Sequence, residues 1–159
     1  MLRNFQLGTA GNINKDKLNQ ICRDYGILGA YLFGSIAKKG ADILKGKSPD
    51  KIDPFADIDL GIVFLERPLD AKQRIKIYSK LYTELSEVFY PFTLDLVFLQ
   101  ETGVILQFEA INGTLVYSHD DDLRLDYEER VVKFYQDWKP VYDKYTNEVL
   151  EAISNRKLS

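Results

Sequence analysis

Three aspartates stand in sequence that otherwise reads as apolar strand. Asp57 and Asp59 open the run DIDLGIVFL, and Asp95 sits inside TLDLVFL at 93–99. Side chains alternate faces along a strand, so Asp57 and Asp59 point one way while Ile58 and Leu60 point the other. A buried carboxylate without a partner costs several kcal/mol, so its setting must supply a lysine or arginine, backbone donors or a metal ion. Asp95 alone reads equally well as a salt-bridged core residue. Three acids on two apolar strands together point to a metal. Mg²⁺ takes hard oxygen ligands and keeps waters or substrate phosphates in its other positions. Two such ions could clamp the attacking and leaving oxygens of a phosphoryl displacement. An i, i+2 pair with a third acid on a neighbouring strand suits that task.

A phosphate group would need a cradle, and Gly34-Ser35 offers one at the end of the apolar run 27–33. Glycine has no Cβ, so the backbone can approach a phosphate closely. The serine hydroxyl and the N–H groups of the following turn can donate to phosphate oxygens. Lys38, Lys39, Lys45, Lys47 and Lys51 add positive charge in the segment that follows.

The elements that must position these groups alternate. Asn14 reads as the cap of a first helix running to about Tyr25, with Leu18, Ile21 and Cys22 on one face and Gly26 as the stop. Residues 27–33 form a first strand. Glycines and prolines from Lys38 to Ala56 predict a long loop with at most one helical turn. A second strand covers 57–65. Ile75, Tyr78, Leu81, Tyr82, Leu85, Val88 and Phe89 recur at helical spacing over 69–89. A third strand follows at 93–99, then a short helix over 104–111 and a small edge strand at 114–117. From about Asp121 to Ile153 a long helix is expected, kinked or interrupted by Pro140. This is an α/β (α+β) pattern, a sheet with helices packed on it; strand directions stay open at this level.

The 159 residues read as one domain with a helical extension from about 121. A chain of that size buries roughly 70% of its unfolded surface. The net charge of −3 argues against a general nucleic-acid binder. Met1 to Gly8 has no apolar core of signal-peptide length, and no run is long enough to span a bilayer, so a cytoplasmic protein is expected. The lone Cys22 fits a reducing compartment and reads as a buried apolar residue rather than a reactive thiol. His119 is the single histidine. It would suit a catalytic base, but beside Asp120, Asp121 and Asp122 it reads as a solvated turn residue. The aspartates read as the capping start of the last helix rather than a Ca²⁺ site.

In order, FGS at 33–35, DIDL at 57–60 and LDLV at 94–97 resemble the motifs of the polymerase-β-type nucleotidyltransferase superfamily. More closely the chain is similar to the minimal nucleotidyltransferases, the MntA-like antitoxin family. That likeness extends through EAINGTLVYSHDD and LDYEERVVKFYQDWKPVYDKY to the tail. The resemblance implies a nucleotidyltransferase fold, a small mixed and mostly antiparallel sheet with helices on one side and a long C-terminal helix. It implies ATP as substrate and Mg²⁺, with two ions. It implies a partner, a helical HEPN-type ribonuclease toxin that receives AMP on a tyrosine. Gly34 and Ser35 match the family's phosphate-binding pair, with Lys38 retaining a charge nearby. Asp57 and Asp59 match its metal-binding pair. Asp95 matches the third carboxylate, which binds metal and helps take the proton from the attacking hydroxyl. Two departures stand out: Ile36-Ala37-Lys38-Lys39 replaces the family's Arg-Ala-Arg-Gly-like run, and the interval from Ser35 to Asp57 is about twice the usual length.

Little chain remains for an acceptor domain, so the acceptor is expected on a partner protein or a second copy. Two alternatives are weighed against AMP transfer to a toxin. One is an inactive binding module that neutralises a helical partner by occlusion. The other is transfer to a small molecule such as an aminoglycoside. Tyr127, Val131, Phe134, Tyr135, Trp138, Tyr142, Tyr145 and Val149 recur at helical spacing in the last helix. Core packing is expected for 127–138 and an interaction surface beyond Pro140.

Overall fold

Four strands and five helices appear in a computed structural model that describes residues 10–68 and 70–158. The expectations for Met1–Gly8 and for a helix start at Leu69 lie outside the described residues. In order the elements are α1 (Ala10–Asp24), β1 (Ile27–Phe33), α2 (Ala37–Leu44), β2 (Asp57–Phe64), α3 (Ala71–Phe89), β3 (Thr93–Phe98), a 3-10 turn at Leu99–Glu101, α4 (Val104–Ile111), β4 (Thr114–Ser118) and α5 (Asp121–Leu158).

The sheet order is β3-β2-β1-β4. β1 runs antiparallel to β2 and β4, while β2 and β3 are parallel. The parallel pair follows from its connection: α3 carries the chain back so that β3 starts at the same end as β2. The result is the mixed, mostly antiparallel sheet that the family resemblance implies.

Apolar sequence on both faces of β1 and β2 draws helices to both sides. Ile58, Leu60, Ile62 and Phe64 pack with Leu18 and Ile21 of α1, Ile43 of α2 and Leu81 of α3. On the other face Leu28, Tyr31, Phe33 and Val63 pack with Ala110 of α4 and with Tyr127 and Val131 of α5. The expectation of helices on one side is therefore corrected. A seven-residue strand buried at every position cannot leave a face to water.

Local boundaries show further corrections. Asn14 does not cap α1, which begins at Ala10; instead its amide donates to the Ile43 carbonyl and ties α1 to α2. Gly26, at φ +64°, does end the helix. The segment after Ser35 holds eight helical residues rather than a loop with one turn. Asp70 caps α3 by accepting from the Gln73 amide, and Leu81, Leu85, Val88 and Phe89 are its buried stripe. Ile75 and Tyr82 share that spacing but face water. α5 runs unbroken through Pro140. The carbonyl that Pro140 leaves without a donor lies on an exposed stretch, where water can satisfy it. At 38 residues α5 is roughly 57 Å long. Tyr127 and Val131 are buried and Tyr135 stacks on Phe108, whereas Val141, Tyr145 and Leu150 beyond Pro140 are exposed. No helix among the described residues is long and apolar enough to cross a membrane.

A polar network fixes α5 to the sheet. The buried Tyr31 hydroxyl donates to Glu128 Oε1 at 2.7 Å, and Arg124 Nη1 donates to the same oxygen at 2.7 Å. Arg124 Nε reaches Ser118 Oγ at 3.0 Å, and Asp120 caps the helix through the Leu123 amide. Removing the shared acceptor leaves the buried Tyr31 hydroxyl unpaired and takes from the mostly buried Arg124 its shorter carboxylate contact, leaving it Ser118 and Asp121. Glu128→Ala is expected to lower unfolding free energy by about 1–3 kcal/mol in urea titrations. Glu129→Ala, on the exposed side of the same turn, is expected to change it by under about 0.5 kcal/mol.

Candidate active site

Strand register brings the two motifs of β2 and β3 together. Asp59 is the partner of Asp95 across the parallel pair and of Phe33 across the antiparallel one. One cross-sheet line therefore carries Phe33, Asp59 and Asp95, with Gly34 the next residue along. Directly paired residues share a face, so both acids lie on the face that α4 and α5 cover. Those helices cover Tyr31, Phe33 and Val63 but stop short of the corner at Asp57, Asp59 and Asp95.

That corner corrects one premise. Asp95 is exposed, not buried, because β3 is an edge strand and no helix covers it at Asp95. Asp57, the first residue of β2, is also exposed, and Asp59 is half-buried. The cost of burial therefore falls mainly on Asp59. Its carboxyl is raised to about 6, first by partial burial, then by the charge of Asp95 and a hydrogen bond with it, and last by Asp57. The structure thus brings two of the three acids into contact. Asp57 stands apart, two residues or roughly 6.6 Å back along the strand. Among the described residues no group of three or more His, Cys, Asp or Glu side chains is gathered tightly enough to hold a metal ion. No lysine or arginine among them forms an ion pair with Asp57, Asp59 or Asp95.

Gly34 is fixed by this contact as much as by the turn. Its φ of +77° favours glycine, and a Cβ there would collide with Asp59 Oδ2. Ser35 is exposed in the turn that leads to α2. No side chain caps α2, so its leading N–H groups remain available to an anion. Lys38 is exposed on the first turn of α2, where it adds positive charge to that end. Lys39 lies over the Phe92 ring at 5.9 Å, and Lys47 pairs with Asp42 at 3.7 Å. Ile36 packs against the core beside Ala37 and Ala41. That packing accounts for an apolar residue directly after Ser35.

α2 is the part of this site that sequence reasoning missed. Its signal was present in Ala37, Ala41 and Leu44, one apolar face broken by lysines and a glycine. Gly40 belongs to that face: a Cβ there would come within 3.1 Å of Leu32 Cδ1, so the helix can lie close on the sheet. Cys22 is fully buried and its thiol is pushed up to about 12 by burial, which leaves it inert. His119 is exposed.

The polymerase beta nucleotidyltransferase family matches residues 16–122, a stretch that contains Gly34, Ser35, Asp57, Asp59 and Asp95. No curated protein matches the chain in sequence. In fold the chain is similar to one from a tri-AMPylated Shewanella oneidensis HEPN toxin in complex with MNT antitoxin. That similarity has a TM-score of 0.57 at 20% identity, over 88% of this chain and 98% of the other. A chain of the MntA–HepT toxin–antitoxin complex is similar with a TM-score of 0.57 at 19% identity, over 87% and 98% of the two chains. A chain of a toxin–antitoxin structure with AMP-PNP is similar with a TM-score of 0.57 at 20% identity, over 86% and 98%. At such identities these three speak to the fold. The family match spans more than half of the chain, from within α1 to the start of α5, and on that match the chain belongs to the polymerase beta nucleotidyltransferase family.

Proposed function

We propose that this protein is a Mg²⁺-dependent nucleotidyltransferase that moves AMP from ATP to a tyrosine of a HEPN-type toxin, and that it serves as that toxin's antitoxin. The observation that carries the reading is the contact between Asp59 and Asp95, made with no ion pair to a lysine or arginine among the described residues. The similar folds found in a complex with an AMPylated HEPN toxin and in one with AMP-PNP support the acceptor and the donor.

The donor chemistry of the residues fits the metal, with substrate phosphate oxygens needed to supply ligands that the acids alone do not gather. Carboxyl oxygens are the donors Mg²⁺ prefers, and a carboxyl held protonated beside a second acid, as Asp59 is, is relieved by a divalent cation. Asp57 and Asp59 would hold Mg²⁺ together with triphosphate oxygens, and Asp95 would complete the set for two ions. Bound Mg²⁺ would supply positive charge against the pyrophosphate as it leaves. The other contributions come from the chain itself. Gly34 keeps side-chain bulk away from Asp59, so the triphosphate can approach. Ser35 and the leading N–H groups of α2 donate to phosphate oxygens, and Lys38 adds charge at the same helix end. Asp95, open on its edge strand, accepts the proton of the attacking hydroxyl. The acceptor oxygen bonds to the α-phosphorus as the bond to pyrophosphate breaks.

One observation favours a second reading, neutralisation by occlusion without turnover. Ile36 packs against the core and brings no charge to the phosphate turn. Incubation with labelled ATP, Mg²⁺ and the toxin separates the two readings. Label on a toxin tyrosine supports transfer, whereas tight binding without label supports occlusion. Asp57→Ala and Asp59→Ala are each expected to lower transfer by at least roughly 10²-fold while the fold is kept. Full activity in either variant would remove the metal assignment.

The proton held by Asp59 also predicts a pH dependence. Asp59 titrates near 6 in the folded chain and near roughly 4 when unfolded. Between those values the folded state binds more protons, so this group's contribution to stability falls as pH rises through the window and stays low above it. Metal-free wild type is expected to lose melting temperature relative to Asp59→Asn from about pH 4 to pH 6. Mg²⁺ is expected to recover the loss above that range. Parallel melting curves for the two proteins would contradict the shift.

A further inference from the structure

Among the described residues, the large apolar side chain given most fully to water is Phe55, at 94% exposure. Its backbone is nevertheless held. The Phe55 amide donates to Asp53 Oδ1 at 2.9 Å, and the Ala56 amide donates to the Asp53 carbonyl at 3.1 Å. Such an Asx-type turn fixes where the ring is presented. Two residues later the chain enters β2 at Asp57. β1 is antiparallel to β2, and β2 is parallel to β3, so the end of β1 and the starts of β2 and β3 share one edge of the sheet. The turn at 53–56 therefore stands at the edge that carries Gly34-Ser35 and the three aspartates.

The order of strands decides which reactant it meets. The phosphate turn follows β1, the Asp57/Asp59 pair is on β2, and Asp95 is on the outer strand β3. An acceptor hydroxyl deprotonated by Asp95 comes in from the β3 side. The loop that bears Phe55 instead leaves α2, whose first turn is at the phosphate end, and returns to β2. It ends at the start of β2, the strand between the phosphate turn of β1 and Asp95 on β3. We infer that Phe55 is a specificity-determining platform on which the donor's nucleobase stacks, with a preference for the larger purine ring. The inference rests on the nucleotidyltransferase reading of the same site. Stacking on an exposed aromatic tolerates many bases but strengthens with ring area. It supplies selectivity where the phosphate contacts, common to all nucleoside triphosphates, supply none.

The test is calorimetric titration of the whole chain with Mg²⁺ and either AMP-PNP or inorganic tripolyphosphate, which has no ring. Phe55→Ala is expected to weaken AMP-PNP binding on the order of tenfold and to leave tripolyphosphate binding unchanged. Phe55→Trp is expected to restore AMP-PNP binding. In wild type, ATP is expected to compete with bound AMP-PNP better than CTP, and Phe55→Ala is expected to narrow that gap. Equal AMP-PNP affinity in wild type and Phe55→Ala overturns the inference. So does an equal loss for AMP-PNP and tripolyphosphate, or a rise confined to the acceptor's KM. A wild type that binds AMP-PNP through Phe55 but transfers no AMP keeps this inference and sinks the transferase reading. A wild type that transfers AMP with Phe55→Ala unchanged in nucleotide affinity does the reverse. A wild type that binds no AMP-PNP overturns both.

Discussion

Two carboxyl groups meet across β2 and β3, and no described lysine or arginine pairs with either. Partial burial of Asp59 first, and the like charge of Asp95 second, let Asp59 keep its proton to an unusually high pH. The arrangement is destabilising in isolation. It persists because the rest of the sheet leaves the two side chains little freedom to part. Asp59 is set by pairing on both sides, with Phe33 and with Asp95. Its neighbours Ile58 and Leu60 are fully buried on the opposite face, so the strand cannot slip by one residue without turning them out to water. Core burial thus supplies the energy that holds an unfavourable pair in place.

The surroundings of the pair follow from the same register. Gly34 is the next residue beyond Phe33, and any side chain there would occupy the space of Asp59 Oδ2. The turn that results ends in a helix whose first N–H groups have no side-chain cap. Negative groups on β2 and β3 and an anion-attracting helix start after β1 therefore lie side by side. A triphosphate with its cations is complementary to both halves at once. α4 and α5 close the same face of the sheet nearer its centre and leave this corner open.

Much of this was legible in the sequence, and the parts that were not share a cause. The apolar runs 27–33, 57–64 and 93–98 announce strands, and acids within two of them announce chemistry. Pairing partners are not local information: DIDL and LDLV do not say that Asp59 lies opposite Asp95, or that Asp57 stands apart. Burial is not local either. LDLV reads as wholly interior, yet Asp95 is open because β3 lies at the sheet's edge. α2 was hidden by its composition, since AKKGADIL carries two lysines and a glycine among few apolar residues. The glycine belongs to the packing surface, where it lets the helix close on Leu32. Pro140 does not interrupt α5, because a rule for helix interiors weakens where the freed carbonyl faces water.

The central claim is that Asp59 holds a proton beside Asp95 in the place where a divalent cation belongs. Carboxyl-carbon NMR titration of Asp59, with and without Mg²⁺, tests it directly. The account predicts a midpoint near 6 in the metal-free protein, moving clearly lower once Mg²⁺ is added. An ordinary aspartate midpoint that Mg²⁺ leaves untouched would contradict it.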